Sequence, residues 1–499
     1  MSSAVMHSGK WRIKPSGKLP IFLRFMINSA FNKEDASKVE IKTVLCNRTF
    51  LNHMMYWEAS EYNSFEKEVI DHLKANDGWF ERYCQRELEE CENLYKKGLE
   101  LKKINWKEKD NSELKESLAD ILNKYRSLVG AWYAQYPLDE YFENAIENNL
   151  AEYIPSSDSG FRNLVLTFTD PEKATEVSQE RIALLAIAKD FFEKMEDLDG
   201  LSAEARNIID DHLDKYAYIN RGLATSRPYS FEDIINRLKE IKKQVDDGMK
   251  LDEMDYNASE EKVEADYEAA LDKIKPKPDF LEIIRKAKHH SYLRNRRVEA
   301  FFNADFGASF LYSEIARRSN FNPDEIMEIT DEEMFGALEG KVLPDAEEMA
   351  RRHSNYAMIV RNSKTRLITD PEEIKKMEKD YFVDVVKSEE LKGKVACSGG
   401  IIRGRAKICL DKKDIPKVNK GDILVAQFTT PDFVVAMEKA AAIIADQGGL
   451  SSHAAIVSRE LGVPCVMDTK NGTRIIHDND LVEVDAKTGV IKIIERATS

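Results

Sequence analysis

Apolar positions in the first three quarters of the chain recur every three to four residues, the spacing that lines one face of an α-helix. Amphipathic stretches rich in Glu, Lys, Leu and Ala run roughly over 60–77, 79–103, 111–128, 137–151, 171–197, 202–220, 230–248 and 258–274. Within the second, Cys84, Leu88, Cys91, Tyr95 and Leu99 step by 4, 3, 4 and 4, which predicts one packed stripe. Lys-Pro-Lys-Pro at 275–278 breaks the pattern, because proline lacks a backbone donor and restricts the residue before it. A further helix is predicted from about 279 to 318. Ser156 to Gly160 reads as a turn cluster, and Asn163 to Phe168 as a short extended run.

The pattern changes near 393. Ten of the 22 glycines lie at or beyond that point, and the apolar runs shorten to strand length: 406–410, 422–427, 441–446, 464–468, 481–485 and 490–494. Two helices are predicted among them. One follows Pro431, with Thr430 able to cap it; the other runs from about His453 to Leu461 and stops at Gly462, with Pro464 beyond. Lys487-Thr488-Gly489 marks a hairpin between the last two strands. The expected fold is multidomain: a large, mostly α-helical N-terminal region over 1–364, divisible near 275–278, then a charged linker or hinge over 365–392 and a compact α/β domain over 393–499.

The length of 499 residues fits two to four domains of ~100–200 residues each. With 42% hydrophobic and 33% charged residues the chain can bury real cores. Its net charge of −15 opposes a nucleic-acid role. The densest basic run, Lys286, Lys288, His289, His290, Arg294, Arg296 and Arg297, is predicted to be a solvated helix face. Six cysteines with no C-x-x-C spacing fit a reducing compartment and argue against a structural zinc site. The N-terminal apolar stretch from Pro20 to Ile27 is broken by Arg24, and no run of ~18 apolar residues occurs, so neither a signal peptide nor a membrane span is expected. The default location is the cytoplasm.

Candidate chemistry concentrates in one segment, Asp446-Gln-Gly448-Gly449-Leu-Ser451-Ser452-His453. A strand ends at Asp446, glycines at 448 and 449 permit a tight turn, and a helix begins at the histidine. Such a helix start presents unpaired N–H groups and the positive end of the helix dipole. An anion carried on His453 would be stabilised by those donors and by the hydroxyls of Ser451 and Ser452. Neutral imidazole is a competent nucleophile near neutral pH, so the implied chemistry is a phosphorylated histidine that hands its phosphoryl group onward. The plainer alternative is that Ser452 caps the helix and His453 merely starts it.

The wider pattern resembles the swivelling phosphohistidine domain of the phosphoenolpyruvate-utilising enzymes, which include phosphoenolpyruvate synthase, pyruvate phosphate dikinase and rifampin phosphotransferase. The resemblance covers about 393–495 and rests on Ser398-Gly399-Gly400 with Gly404, Gly421-Asp422-Ile423-Leu424-Val425, Thr430-Pro431-Asp432, the Gly-Gly-x-Ser-Ser-His run, Arg459-Glu460-Leu461-Gly462 and Val482-Glu483-Val484-Asp485 with Gly489. It implies that His453 is the residue phosphorylated, with Gly448, Gly449, Ser451, Ser452 and Arg459 shaping the phosphate site. Arg459 lies six positions along the helix, so a fold-stabilising role is the alternative. The family usually has Ser-Pro-Gly where Ser398-Gly399-Gly400 stands, and threonine is common at the place of Ser451.

A relay domain needs a donor and an acceptor. Neither an ATP-grasp pattern nor a phosphoenolpyruvate-binding barrel is expected here, since the helical part is glycine-poor and few residues follow Ile494. The helical part bears a weaker resemblance to the acceptor-binding portion of rifampin phosphotransferase, in Asp211 to Tyr218, Tyr229 to Asp233, Arg294 to Arg318 and Ile326 to Met334. The expectation is therefore a phosphotransferase component, with ATP and Mg²⁺ or phosphoenolpyruvate supplied through an ATP-grasp-type partner subunit. No cofactor or metal is expected on the chain itself, and its acceptor would be a small molecule rather than nucleic acid or a membrane. The alternative is a binding or regulatory protein with a vestigial phosphohistidine domain. His212, His289 and His290 are further acid–base candidates, although histidines on amphipathic helices are more often packed or surface residues.

Overall fold

The structure, a computed structural model, describes residues 6–7, 11–15, 21–22, 33–45, 47–51, 54–75, 77–155, 158, 160–195, 197–221, 227–248, 250–251, 260–361, 364–381, 390–410, 412–429, 433–446 and 453–497. Its α-helices are α1 (Lys33–Lys38), α2 (Ala59–Ala75), α3 (Trp79–Lys102), α4 (Asn111–Ala131), α5 (Gln135–Leu150), α6 (Phe161–Thr169), α7 (Glu176–Glu193), α8 (Ala203–Tyr216), α9 (Phe231–Asp246), α10 (Glu260–Ile274), α11 (Pro278–Arg318), α12 (Asp331–Leu338), α13 (Ala346–Ser354), α14 (Pro371–Tyr381), α15 (Val434–Lys439), α16 (His453–Leu461) and α17 (Gly472–Ile475). The strands are β1 (Met6–His7), β2 (Trp11–Pro15), β3 (Asn47–Leu51), β4 (Met54–Glu58), β5 (Ala357–Arg361), β6 (Lys364–Ile368), β7 (Glu390–Lys392), β8 (Lys394–Cys397), β9 (Ile401–Cys409), β10 (Ile423–Ala426), β11 (Ala442–Ala445), β12 (Cys465–Met467), β13 (Leu481–Asp485) and β14 (Val490–Glu495). The chain is mostly helical, with a sheet region at its C-terminal end.

Local chemistry sets the helix ends. Asp110 with Glu113, Ser230 with Asp233 and Thr330 with Glu333 form capping boxes at α4, α9 and α12, each satisfying otherwise orphaned first-turn donors. Pro278 opens α11 after an extended Lys277, the position where a missing N–H costs nothing. The 41-residue α11 is the spine of the helical part and packs along α3. The two helices touch at Gly98 and Gly307, where a Cβ on residue 307 would lie 2.1 Å from the Gly98 carbonyl oxygen.

The N-terminal part departs from the helical expectation in one respect. The described strands there form an antiparallel sheet in the order β1-β2-β4-β3-β5-β6, in which Arg48 faces Val360. The expected linker over 365–392 begins inside this sheet, as β6. The helix that follows, α14, sets Ile374 and Met377 into a core with Leu51, Tyr56, Ala357 and Ile368. Residues 382–389 lie outside the described residues.

Asn163 to Phe168 is helical rather than extended. Phe161, Leu164, Val165 and Phe168 are buried at offsets of three, four and seven, one side of α6. The basic run on α11 is not a solvated face: Lys288, His290 and Arg297 are buried, and Arg296 is held by Glu92, Glu176 and Glu299. Carboxylates on the neighbouring elements allow this, because charges leave water only when paired.

The C-terminal sheet has the order β7-β14-β13-β9-β10-β11-β12-β8, with β9, β10, β11 and β12 parallel. One continuous buried cluster joins Phe142, Phe161 and Leu293 of the helical part to Ala396, Leu424, Ile443 and Ala454 of this region. At the seam Lys394 of β8 donates to the buried Glu143 of α5 at 2.8 Å. No helix among the described residues is long and apolar enough to cross a membrane.

The contact between α3 and α11 makes a direct prediction. Gly307→Ala inserts a methyl group into a backbone-to-backbone approach and is expected to destabilise the chain by about 1–3 kcal/mol, measured as a lower midpoint in urea denaturation.

Candidate functional site

Strands β10 and β11 are buried at every residue, so their order along the chain leaves only their ends free for chemistry. Ligands of parallel sheets gather at the carboxyl ends of the strands. At that edge β11 runs into Asp446, whose side chain is 4% exposed. Its amide donates to the Ala426 carbonyl at the end of β10, 3.0 Å away, and its own carbonyl accepts from Lys470, which follows β12. The carboxylate accepts from the Thr469 hydroxyl at 2.8 Å, from the Thr473 amide at 3.1 Å and from the Thr473 hydroxyl. One residue thus ties three strand ends together. Burial pushes its carboxyl group above the usual range, and the threonine hydroxyls and the Thr473 and Gly472 amides hold it back.

The loop that supplies these donors is unusually tight. Asp468 and Lys470 both adopt left-handed backbone, at φ 59° and 67°, and a Cβ on Gly472 would sit 2.8 Å from the Asp446 Oδ1. Left-handed non-glycine residues persist only where surrounding contacts over-determine them. Here those contacts are the bonds to Asp446.

Helix α16 starts seven residues after Asp446 with His453 as its first residue. Ala454 and Ala455 are buried against the sheet, and Ser458, fully buried, returns its hydroxyl to the Ala455 carbonyl at 3.1 Å. The helix ends at Gly462, at φ 66°, with the Val463 amide bonded to the Ser458 carbonyl. Pro464 then packs on Gly399: a Cβ there would lie 2.5 Å from Pro464 Cγ, and the Gly399 amide donates to Ala486. Glycine in place of the expected proline at 399 therefore fits this arrangement, because a proline ring would collide and remove the donor.

Of the residues singled out from the sequence, the structure places the backbone of His453 at the first position of α16 and that of Arg459 at the seventh. Six residues at ~1.5 Å rise put Arg459 about 9 Å further along the axis, away from the helix start. Gly448, Gly449, Ser451 and Ser452, together with Thr430 to Asp432, lie outside the described residues. Sequence reasoning missed Thr469, Thr473 and the left-handed residues beside them, Asp468 and Lys470. Their only signal is a polar Asp-Thr-Lys-Asn-Gly-Thr run after a buried strand.

The other histidine candidates are dispersed through the helical part. His212 is buried against Glu180 at 2.9 Å, and Glu180 also holds Arg237, which makes that group a structural tie among α7, α8 and α9. His289 meets Glu172 at 2.8 Å, and His290 meets Asp139 at 2.8 Å. Among the described residues no three His, Cys, Asp or Glu side chains are placed to hold a metal ion.

Comparison with known proteins bears on this segment. Residues 418–489 match the family described as PEP-utilising enzyme, mobile domain. The chain is 47% identical over 123 residues to a probable phosphoenolpyruvate synthase of Archaeoglobus fulgidus, a match covering 24% of this chain and 16% of that protein. It is 50% identical over 101 residues to phosphoenolpyruvate synthase of Pyrococcus furiosus, covering 20% and 12%. It is 40% identical over 103 residues to an uncharacterised phosphotransferase of Bacillus subtilis, covering 21% and 12%. The chain thus matches less than a fifth of the length of each of these relatives.

The tie at Asp446 is open to test. Asp446→Ala strands four donors and is expected to lower stability by about 2–3 kcal/mol, seen as an earlier denaturation midpoint, whereas Thr473→Val should cost about 1 kcal/mol.

Proposed function

With residues 418–489 a mobile domain of the phosphoenolpyruvate-utilising enzymes, we propose that this chain is a phosphotransferase component in which His453 carries a phosphoryl group from a donor site to a small-molecule acceptor bound by the helical part. The observation that carries this reading is the position of His453, the first residue of a helix that follows a strand end at the carboxyl edge of the parallel sheet. First-turn amides at such a helix start point toward an anion, and the helix dipole favours negative charge there.

In the donor half-reaction an imidazole nitrogen of His453 attacks the terminal phosphorus. An N–P bond forms as the bond to the donor's leaving oxygen breaks. In the acceptor half-reaction a nucleophilic atom of the acceptor attacks that phosphorus, and its bond to phosphorus forms as the N–P bond breaks and His453 leaves as imidazole. The donor is ATP with Mg²⁺, or phosphoenolpyruvate, presented by an ATP-grasp-type partner subunit. The glycine-poor composition of the helical part supports placing nucleotide binding on that partner.

The test is intact-mass spectrometry at neutral to basic pH after incubation with ATP, with phosphoenolpyruvate, and with each plus lysate from the source organism. One added phosphoryl mass that maps to His453, disappears in acid and is absent from a folded His453→Ala variant is the expected result. Labelling that survives that substitution contradicts the relay. No labelling under any condition favours a binding or regulatory protein whose phosphohistidine domain is vestigial.

A further inference from the structure

Among the described residues, three histidines of the helical part are hydrogen-bonded to carboxylates, and one of them differs from the others at its second nitrogen. His290 is 4% exposed, and its Nε2 lies 2.8 Å from Asp139 Oδ1. Its Nδ1 is buried with no hydrogen-bond partner among the described residues. A buried polar atom left unsatisfied is costly, and where it persists it calls for an explanation. Neither His212 nor His289 has such an orphaned nitrogen among the described residues, and Asp139 itself is held by Gln135, whose side-chain amide donates to Oδ2 at 3.1 Å.

The surroundings place this dyad on the way to the histidine domain. Asp139 and Glu143 stand one turn apart on α5, so their side chains neighbour each other on one face. Glu143 holds Lys394, and Lys394 belongs to β8, the strand against which the His453 helix α16 packs. On the other side Asp139 helps to stabilise the Arg297 guanidinium, which is buried against Glu87 and over the Trp132 ring. Three neighbouring pairs, Glu87 with Arg297, Asp139 with His290 and Glu143 with Lys394, therefore lead from the core of the helical part to the seam with the C-terminal region.

Building on the relay reading above, we propose that His290 is the general base of the acceptor half-reaction, with Asp139 as its positioning residue, and that the acceptor is a small molecule with a reacting hydroxyl. Asp139 accepts the Nε2–H and so keeps the Nδ1 lone pair free. The acceptor oxygen attacks the phosphorus of phospho-His453 as its proton passes to His290 Nδ1. The O–P bond forms and the N–P bond breaks. His453, protonated on its other ring nitrogen, leaves as neutral imidazole, and His290 returns its proton to solvent.

The test loads the full chain at His453 with potassium phosphoramidate. Discharge is then followed by intact mass and phosphorus NMR in water alone and with pyruvate, glycerol or phenol. His290→Gln is expected to load at the wild-type rate and to slow discharge by about 100-fold or more, in the range of general-base contributions. Asp139→Asn should slow it by at least about tenfold, and Asp139→Glu should restore part of the loss, which a merely structural carboxylate would not do. Discharge of both variants at the wild-type rate with every acceptor, water included, would overturn the assignment. Nitrogen NMR of the wild-type imidazoles gives a check that needs neither variants nor loading: His290 should carry its proton on Nε2, and a proton on Nδ1 overturns the proposal. Failure of phosphoramidate to label His453 would count against the relay and leave the tautomer measurement to decide the dyad.

Discussion

A buried carboxylate at the end of a buried strand is the constraint on which the chemistry of this chain depends. Asp446 binds the end of β10 through its amide and the loop after β12 through its carbonyl and carboxylate, so three parallel strands finish in one fixed place. The segment that leads to His453 departs from that point. Ala454, Ala455 and Ser458 are buried along α16, which seats that helix against the core. Pre-organised donors stabilise charge without having to rearrange, which is the property a phosphoryl carrier requires.

The second constraint lies at the seam. Removing one member of a buried ion pair leaves an uncompensated charge, so Glu143 depends on Lys394 for as long as it is out of water. Lys394 itself is about one-quarter exposed, which moderates the pair's contribution. The same α5 face carries Asp139 one turn away, so the contact that seats the C-terminal region lies beside the dyad on His290. Structure and proposed chemistry thus share three neighbouring pairs, Glu87 with Arg297, Asp139 with His290 and Glu143 with Lys394, across α3, α5, α11 and β8.

Much of this was legible in the sequence, for identifiable reasons. Helix positions follow from a 3.6-residue period reinforced by caps such as Asp110 with Glu113, both of them local signals. The strand, double glycine, double serine and histidine are also contiguous, which is why His453 stands out. The antiparallel sheet was not legible, because β3 pairs with β5 some three hundred residues later and each is only five residues long. Asn163 to Phe168 misled for the opposite reason: the helix it belongs to has only nine residues, too few to show a helical period without knowing which side is buried. The partners of Asp446 were invisible because Thr469 and Thr473 meet it only through the fold. The basic run on α11 looked solvated because its carboxylate partners, Glu87, Glu92 and Glu176, come from distant segments.

The claim that the fold prepares His453 to carry phosphate is tested most directly by competition within one molecule. The whole chain is treated with phosphoramidate, and the initial phosphorylation rates of individual histidines are mapped at basic pH. His477, whose side chain is 70% exposed and whose Nδ1 meets Arg496 at 3.1 Å, provides the reference for an exposed imidazole away from a helix start. Faster labelling of His453 than of His477 is the predicted result, and labelling of His477 at an equal or greater rate would contradict it.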